Sequence, residues 1–155
     1  MKILCTSDTH GNTEKLKEVV KSVEGIDILL HAGDHIGDVD AIDQSEFDVF
    51  KVKGNCDRGV KGKSKEVITM EDKKILLTHG HQYEIKYGLQ KLSYQAAEVE
   101  ADIVVFGHTH RSLSLNEEGI LYFNPGSITY PRDDSASCGI LEIKDGKVEG
   151  ELKRL

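Results

Sequence analysis

Side chains that can bind a metal ion follow the apolar runs of this chain. Short apolar, β-branched runs bounded by polar and glycine residues are typical of buried strands, so each of these side chains falls just past the C-terminal end of a predicted strand. Layered α/β folds place ligands and catalytic groups at that edge of a sheet. We therefore expect separate loops to form one site. The side chains are Asp8 and His10 after residues 2–6, Asp34 after 27–30, Asn55 after 49–52, His79 after 75–77, and His108 and His110 after 103–106.

The predicted elements alternate between strands and helices in the first half of the chain and form hairpins in the second. Strands are predicted over residues 2–6, 26–30, 49–52, 66–70, 74–78, 103–106, 113–115, 120–123, 139–144 and 147–152. Helical spacing predicts one helix over Leu16, Val19, Val20 and Val23, with Asn12 as its N-cap, and another over Leu89, Leu92, Ala96 and Val99. Residues 39–48 are an acidic connection in which a short helix is one option. So many buried strands need both faces covered, which predicts an α/β sandwich of two sheets with helices outside.

The bulk properties fit one globular domain over residues 1–155. A chain of 155 residues buries roughly two thirds of its unfolded surface, which is enough for a substantial core. Its net charge of -7 argues against a general nucleic-acid surface. No apolar run approaches the roughly 18 residues of a membrane span, and no leader-like segment precedes the first strand, so we expect a cytoplasmic protein.

The cysteines indicate neither a disulfide framework nor a thiolate zinc site. Cys5, Cys56 and Cys138 form no paired spacing and no C-x-x-C motif. Cys5 and Cys138 lie within apolar runs and are predicted to be core residues, whereas Cys56 lies among polar residues.

The candidate ligands combine carboxylate and imidazole groups. Asp8 and His10 are two residues apart, as are His108 and His110, and on an extended segment such pairs point to the same side. Mixed oxygen and nitrogen ligands suit Mn, Fe, Co, Ni or Zn rather than Mg or Ca, which favour shells of oxygen. The residue types alone do not choose among the five metals. Neighbouring glycines, such as Gly33 and Gly107, allow the backbone to approach an ion or a substrate closely.

The order of these motifs resembles the calcineurin-like metallophosphoesterase superfamily. The closest resemblance is to its small single-domain microbial phosphodiesterase branch, and it extends from Met1 to about Arg132. It implies a four-layer αββα sandwich of two mixed sheets and a cofactor of two divalent metal ions, with manganese expected first and nickel, iron, cobalt or zinc as alternatives. It also implies hydrolysis of a small phosphodiester by a hydroxide that bridges the two ions. The implied ligands are Asp8, His10 and His110 for one metal, Asn55, His79 and His108 for the second, and Asp34 as a bridge between them.

Several residues near these motifs are further candidates for the catalytic site. Cys56 and Asp57 follow Asn55 where larger members of the superfamily usually carry a histidine that assists the leaving group. A thiol is a poor general acid, so we expect aryl esters to be cleaved faster than alkyl esters; Cys56 as a mere filler is the alternative. The other candidates are His81 as a residue that orients a ligand, the turn over residues 124–127, Arg132 as a phosphate contact or a surface residue, His31 as a core histidine or one that supports a ligand from behind, and His35 beside Asp34.

Two alternatives to a phosphodiesterase remain open from the sequence. The chain is also similar to the retromer subunit that uses a metallophosphoesterase-like domain as a scaffold for protein assembly. The ligand positions are degraded in that subunit, whereas all seven match in this chain, which favours an enzyme. A phosphomonoesterase or protein phosphatase is the other alternative, but the chain lacks the long insertions and the histidine at position 56 of the larger phosphatases. The physiological substrate is not specified, and hairpin edges leave a homo-oligomer open.

Overall fold

Ten strands and two α-helices form the computed structural model, which describes all residues 1–155. The strands are β1 (Lys2–Thr6), β2 (Ile28–His31), β3 (Asp48–Lys51), β4 (Lys65–Met70), β5 (Lys73–Thr78), β6 (Ile103–Val105), β7 (Ser112–Glu117), β8 (Ile120–Pro125), β9 (Ser137–Lys144) and β10 (Lys147–Arg154). The helices are α1 (Thr13–Lys21) and α2 (Gln90–Glu98), and short 3-10 helices cover Ile36–Ala41, His81–Tyr83 and Ile85–Tyr87.

The strands form two mixed sheets of five. The first has the order β10-β9-β1-β2-β3, and the second has the order β4-β5-β6-β8-β7. In the first sheet β1, β2 and β3 are parallel neighbours, and in the second β5, β6 and β8 are parallel neighbours. The parallel strands are in level register, since Thr6 pairs with His31 and His31 pairs with Lys51. Their C-terminal ends therefore form one edge of each sheet, and the loops that carry the candidate ligands start there.

Side chains of the central strands alternate between two layers of core. Ile3 and Cys5 of β1 face the second sheet and join the apolar cluster between the sheets, whereas Leu4 faces α1. In the second sheet Val105 faces the first sheet and Val104 faces α2. Each fully buried aliphatic side chain contributes about 1.5–3 kcal/mol to folding. The order of layers is α1, first sheet, second sheet, α2, which confirms the expected four-layer sandwich.

Helix α1 forms for the reasons that its sequence suggests. The side-chain oxygen of Asn12 accepts a hydrogen bond from Lys15 N at 3.1 Å, which caps the helix as predicted. Leu16 and Val19 are buried against the first sheet, with Val23 just beyond the helix end in the same cluster. Neither α-helix has the length and apolar content that crossing a membrane requires.

The structure confirms the predicted strands and hairpins, with small differences at their ends. Strand β2 begins at Ile28 rather than at residue 26, and the Asp27 carboxylate just before it accepts the Lys2 N–H at 2.6 Å. In the connection before β3, a 3-10 helix covers Ile36–Ala41 and so begins ahead of the expected segment 39–48. Cys5 and Cys138 are fully buried, as expected.

Candidate metal centre

Six loops that follow parallel strands meet where the two sheets approach each other. Three leave β1, β2 and β3 of the first sheet, and three leave β5, β6 and β8 of the second. A Cβ atom on Gly107 would overlap the Ser7 hydroxyl, and one on Gly54 would overlap the Asp34 carboxylate. Glycine is required at both positions, because they let loops from different strands touch. The edge of the sandwich thus brings together side chains that are far apart in the sequence.

Candidate ligands in these loops have left-handed backbone conformations. The φ angles are 54° at Asp8, 48° at His10, 61° at Asp34, 68° at His108 and 57° at His110. The expectation that these segments are extended is therefore wrong, although the donor atoms of Asp8 and His10 still lie within 4.8 Å of each other. Non-glycine residues rarely adopt positive φ, and such strain concentrates at functional sites. The side chains converge because each loop turns sharply back over the strand end.

Asp8, His10 and His110 form the first group of donor atoms. Their donor atoms lie within 4.8 Å of one another. Asp8 Oδ1 is 3.1 Å from His110 Nε2 and 3.9 Å from His10 Nε2, and the two imidazole Nε2 atoms are 3.3 Å apart. The expected first ligand set is thus assembled in space.

Asp34 lies between this group and a second one. Its Oδ2 atom is 3.7 Å from His10 Nε2, while its Oδ1 atom is 3.5 Å from His79 Nε2. Asp34 is 2% exposed, so its two carboxylate oxygens are presented to the side chains around it rather than to bulk water. This is the placement that a carboxylate bridging two ions needs.

The second group contains His79, Asn55 and His108, but it is looser than the first. His79 Nε2 is 3.2 Å from Asn55 Oδ1. The His108 ring is 5.1 Å from the His79 ring between centroids, and His108 belongs to none of the donor groups within 4.8 Å. His79 is fully buried, whereas Asn55 is exposed at the mouth of the site.

Hydrogen bonds from the imidazole rings fix which nitrogen faces the centre. His79 Nδ1 donates to the Ala32 carbonyl at 2.8 Å, and His110 Nδ1 donates to the Tyr130 carbonyl at 2.6 Å. A carbonyl oxygen can only accept, so Nε2 of each neutral ring carries a lone pair toward the donor groups. This is the arrangement that metal-binding histidines show in proteins.

Hydroxyl groups behind the ligands support them; Ser127 lies in the expected turn, whereas sequence patterns did not indicate Ser7 and Thr129. Ser7 Oγ donates to Asp8 Oδ2 at 2.6 Å. Ser127 Oγ donates to the Asp8 carbonyl at 2.8 Å, and Thr129 Oγ1 donates to the Thr9 carbonyl at 2.8 Å. The expected turn at residues 124–127 therefore contacts the site from behind. Only the tight spacing of polar residues in that turn could have indicated it.

The protonation equilibria of the site reflect its burial. Burial lowers the pKa of His10, and it lowers the pKa of His108 to about 4. Interaction with the Asp8 carboxylate raises the pKa of His110. Burial alone would raise the pKa of Asp8, but interactions with the imidazoles of His110 and His79 and with the Ser7 hydroxyl outweigh it and hold that pKa below its usual range. The lowered pKa values favour an ionised Asp8 and neutral His10 and His108, which are the protonation states that metal binding requires.

The remaining catalytic candidates have different environments. Cys56 is exposed and its N–H donates to Asp34 Oδ1 at 2.9 Å. Asp57 is 6% exposed, and its carboxylate accepts Ile36 N–H at 3.0 Å and Gly54 N–H at 2.8 Å. Both Asp57 oxygens therefore accept hydrogen bonds from backbone N–H groups. This favours a role in positioning the loops over a role in contacting a reacting atom. The His81 ring lies 5.3 Å from the His79 ring, and its buried Nδ1 has no hydrogen-bond partner.

His31, His35 and Arg132 lie around the centre. His31 is fully buried at the end of β2, in agreement with the expected core position. His35 is exposed with its ring 5.2 Å from that of His10. Arg132 is exposed, and its backbone N–H donates to the His110 carbonyl at 2.8 Å. The guanidinium therefore belongs to the rim of the site, where either expected role is compatible with its position.

The donor set fits metal ions. Asp8 Oδ1 is buried and makes no hydrogen bond, although an unsatisfied buried carboxylate oxygen is costly. The groups that face it are Nε2 of His110 and Nε2 of His10. When His110 is neutral, its Nε2 carries a lone pair, because Nδ1 donates to the Tyr130 carbonyl. A cation placed among these atoms satisfies all of them. Carboxylate, imidazole and amide donors suit divalent transition metals.

This centre and the two-sheet sandwich define the class of protein: an α/β sandwich with a candidate metal site at the shared strand ends. The Calcineurin-like phosphoesterase superfamily domain matches residues 1–146, and the chain belongs to this superfamily. The chain is 38% identical over 133 residues to the probable metallophosphoesterase YsnB of Bacillus subtilis, over 85% of this chain and 78% of that protein. It is 27% identical over 169 residues to the phosphodiesterase YfcE of Escherichia coli, over 92% of this chain and 88% of that protein.

Solved structures give the same family. A predicted phosphoesterase from Streptococcus pneumoniae is 31% identical, with a TM-score of 0.84 over 99% of this chain and 88% of that chain. Vps29 from Entamoeba histolytica, solved in complex with zinc, is 26% identical, with a TM-score of 0.78 over 99% of both chains. The expected family resemblance is confirmed.

Proposed function

We propose that this protein is a metal-dependent phosphodiesterase that holds two divalent ions and hydrolyses a small phosphodiester with a hydroxide bridging them. The observation that carries the proposal is the placement of Asp34. One carboxylate oxygen faces His10 in the first donor group and the other faces His79 in the second. The proposed ligands are Asp8, His10 and His110 for one ion, Asn55, His79 and His108 for the other, and Asp34 for both. Manganese is the first ion to test, followed by nickel, iron, cobalt and zinc.

The chemistry requires no protein nucleophile. Divalent ions supply Lewis acidity, which lowers the pKa of water and offsets negative charge on the phosphoryl oxygens. A bond forms between phosphorus and the oxygen of water, the bond to the leaving oxygen breaks, and a proton passes to that oxygen. The chain's own part is to hold the donors rigidly: the Ala32 and Tyr130 carbonyls orient His79 and His110, and Asp57 ties the loops of Asp34 and Asn55 together.

A diester is favoured over a monoester by the residue after Asn55. Position 56 is a cysteine, where larger phosphatases of the resembled superfamily carry histidine. The named phosphodiesterase YfcE among the relatives is consistent with the same choice. A scaffold for protein assembly, the role of the retromer subunit that the sequence also resembles, is the second candidate. The specific observation in its favour is the structural likeness to Vps29.

The test compares hydrolysis of bis(p-nitrophenyl) phosphate with that of p-nitrophenyl phosphate. Protein stripped with chelator is given Mn, Ni, Co, Zn or Mg in turn, and bound metal is counted by elemental analysis. We expect diester cleavage to vanish on stripping, to return with a transition metal at two ions per chain, and to be lost in Asp34→Ala. Asp72→Ala is the matched control, because it removes an exposed carboxylate in the β4–β5 turn. If no metal restores turnover, the scaffold is the better description.

A further inference from the structure

A cavity of about 670 Å³ lies directly beside the loop that carries His108 and His110. Thr109, between these two histidines, lines the cavity together with Asn124. The Asn124 side-chain amide donates to the Gly107 carbonyl at 3.0 Å and to Thr109 Oγ1 at 3.0 Å. Asn124 thus fixes the wall that separates this cavity from the metal centre.

Three cationic side chains surround the cavity. Lys86, Arg111 and Arg132 line it, and none has a carboxylate oxygen within 4.0 Å of its charged nitrogens. Three unpaired cations around one cavity make this region locally positive in a chain with a net charge of -7. Arginine forks bind phosphate through paired, charge-assisted hydrogen bonds, and a lysine adds a point charge.

The single carboxylate in the cavity wall is already engaged. Asp133 Oδ2 accepts hydrogen bonds from Ser112 N at 2.5 Å and from Ser112 Oγ at 2.7 Å. These bonds hold the carboxylate against the start of β7 and offset part of its charge. The cavity therefore keeps a positive balance toward an entering anion.

Apolar side chains also line the cavity. They are Ile85, Leu89, Phe106 and Leu113, and Leu89 and Leu113 are only half buried. Apolar surface beside fixed charges suits an organic ring system that carries a charged substituent. A nucleoside that carries a phosphate group combines such a ring system with such a charge.

A second, more open cavity of about 800 Å³ connects these features to the proposed reaction site. His10, His110 and Tyr130 line it, together with Arg111 and Arg132 of the first cavity. Arg111 and Arg132 therefore line both the cationic cavity and the open cavity beside the metal centre. A substrate with its reacting phosphate at the centre can reach them with a second group.

We propose that the cavity bounded by Lys86, Arg111 and Arg132 binds a second anionic group of the substrate. The substrate class is then a phosphodiester in which a nucleoside-like body carries a further phosphate. This inference rests on the proposed phosphodiesterase activity, and it assigns the residues that select among diesters.

The test uses two substrates that differ only in the second phosphate. They are the p-nitrophenyl ester of thymidine 5′-phosphate and the same ester carrying a 3′-phosphate. We expect the manganese-loaded protein to prefer the second in kcat/KM. We expect Arg111→Gln and Lys86→Gln each to reduce that preference by about tenfold, the effect of losing one hydrogen bond to a charged group. Lys147→Gln, an exposed charge in the β9–β10 hairpin, is the control and should keep the preference.

Binding of thymidine 3′,5′-bisphosphate, measured by calorimetry, separates this inference from the activity. If neither ester is cleaved, the proposed activity fails, whereas weaker binding in Arg111→Gln than in Lys147→Gln still supports the anion site. If both esters are cleaved at equal kcat/KM, or if the control loses the preference as much as Arg111→Gln does, the inference is overturned. Higher ionic strength should also reduce the preference, because exposed charges are screened.

Discussion

His79 donates its Nδ1 proton to the Ala32 carbonyl oxygen at 2.8 Å, and the bond joins the end of β5 in one sheet to the end of β2 in the other. It holds the Nε2 lone pair toward Asp34 and Asn55. The residue after Ala32, Gly33, has a φ of 100° and would place a Cβ atom 2.7 Å from His79 Nδ1. The orientation of His79 thus depends on the absence of a side chain at position 33.

Gly33→Ala should reduce metal affinity by at least tenfold. The added methyl group displaces the His79 ring, and disturbing a group that orients a metal ligand typically costs between tenfold and a hundredfold in affinity. Titration of the stripped protein with Mn²⁺ by calorimetry measures the effect.

Gly25→Ala is the matched control. Gly25 also has a positive φ, 67°, but no atom lies within 4 Å of the place that an added methyl group would take. Both variants should lose about 1–3 kcal/mol of stability from backbone strain. Gly33→Ala should lose more than the control, because its added methyl group also lies 2.9 Å from the Gly54 backbone nitrogen. Equal metal affinities in the two variants would show that His79 does not need this space.

Much of the fold could be predicted because it follows from runs of residues. The strand at 103–106 is apolar at every position, and buried parallel strands require this. The ligand positions could be predicted for a related reason: a polar residue directly after such a run lies at the strand's C-terminal end. The number of buried strands predicted two sheets, but the order of strands within each sheet was not predicted, since periodicity does not specify which strands pair.

The local geometry of the site could not be predicted, because it arises from contacts between distant residues. Asp8 adopts a positive φ in a loop whose carbonyl is held by Ser127, 119 residues further along the chain. No local pattern around Asp8 carries that information. Asp57 looked like a reactive carboxylate because it follows Cys56, whereas its bonds to Ile36 and Gly54 become visible only in space.

Ser127→Ala should destabilise the protein and weaken metal binding together. Ser127 Oγ donates to the Asp8 carbonyl and accepts the N–H groups of Thr129 at 3.2 Å and Tyr130 at 2.9 Å. Its loss leaves these groups without their partner in a buried place, which costs roughly 1–3 kcal/mol. Urea unfolding measures that loss in free energy. Ser114→Ala on the exposed face of β7 is the control and should change stability by less than about 0.5 kcal/mol.

The stability of the metal-free protein should fall between pH 6.5 and pH 4 through His31. Burial lowers the pKa of His31 to about 4, against the usual 6.5, even though Asp8, Asp57 and Asp38 attract the imidazolium. In the folded state the Gly33 N–H donates to Nδ1 at 3.2 Å, so the ring is held neutral. As the pH falls, the unfolded chain binds the proton at His31 before the folded protein does. The contribution of His31 to stability is therefore fully present above pH 6.5 and is lost toward pH 4. The loss is roughly 3 kcal/mol.

His31→Asn isolates this effect, because Asn keeps an acceptor for the Gly33 N–H but does not titrate. Urea unfolding of both proteins in chelator at several pH values gives the comparison. The stability advantage of the native protein over the variant should shrink as the pH falls through this window. The nearby carboxylates titrate in both proteins and largely cancel. If the difference in stability between the two proteins does not change with pH, the folded protein protonates His31 as readily as the unfolded chain does.

Cleavage should depend strongly on the leaving group, because Cys56 occupies the position where larger members of the superfamily carry a histidine that assists the leaving group. The Cys56 donor atom lies within 4.8 Å of those of His10 and Asp34. A thiol is weakly acidic and hydrogen-bonds weakly, so it gives an alkoxide little help, whereas a nitrophenolate leaves without help. Aryl methyl diesters should therefore be cleaved at the aryl bond far faster than dialkyl diesters.

Cys56→His should raise the dialkyl rate more than the aryl rate, by about tenfold or more, since a positioned acid contributes at least this much. Cys56→Ala controls for loss of the thiol alone and should leave the ratio of the two rates unchanged. Rates that do not vary with the pKa of the leaving alcohol would contradict this account and point to an acid elsewhere in the site.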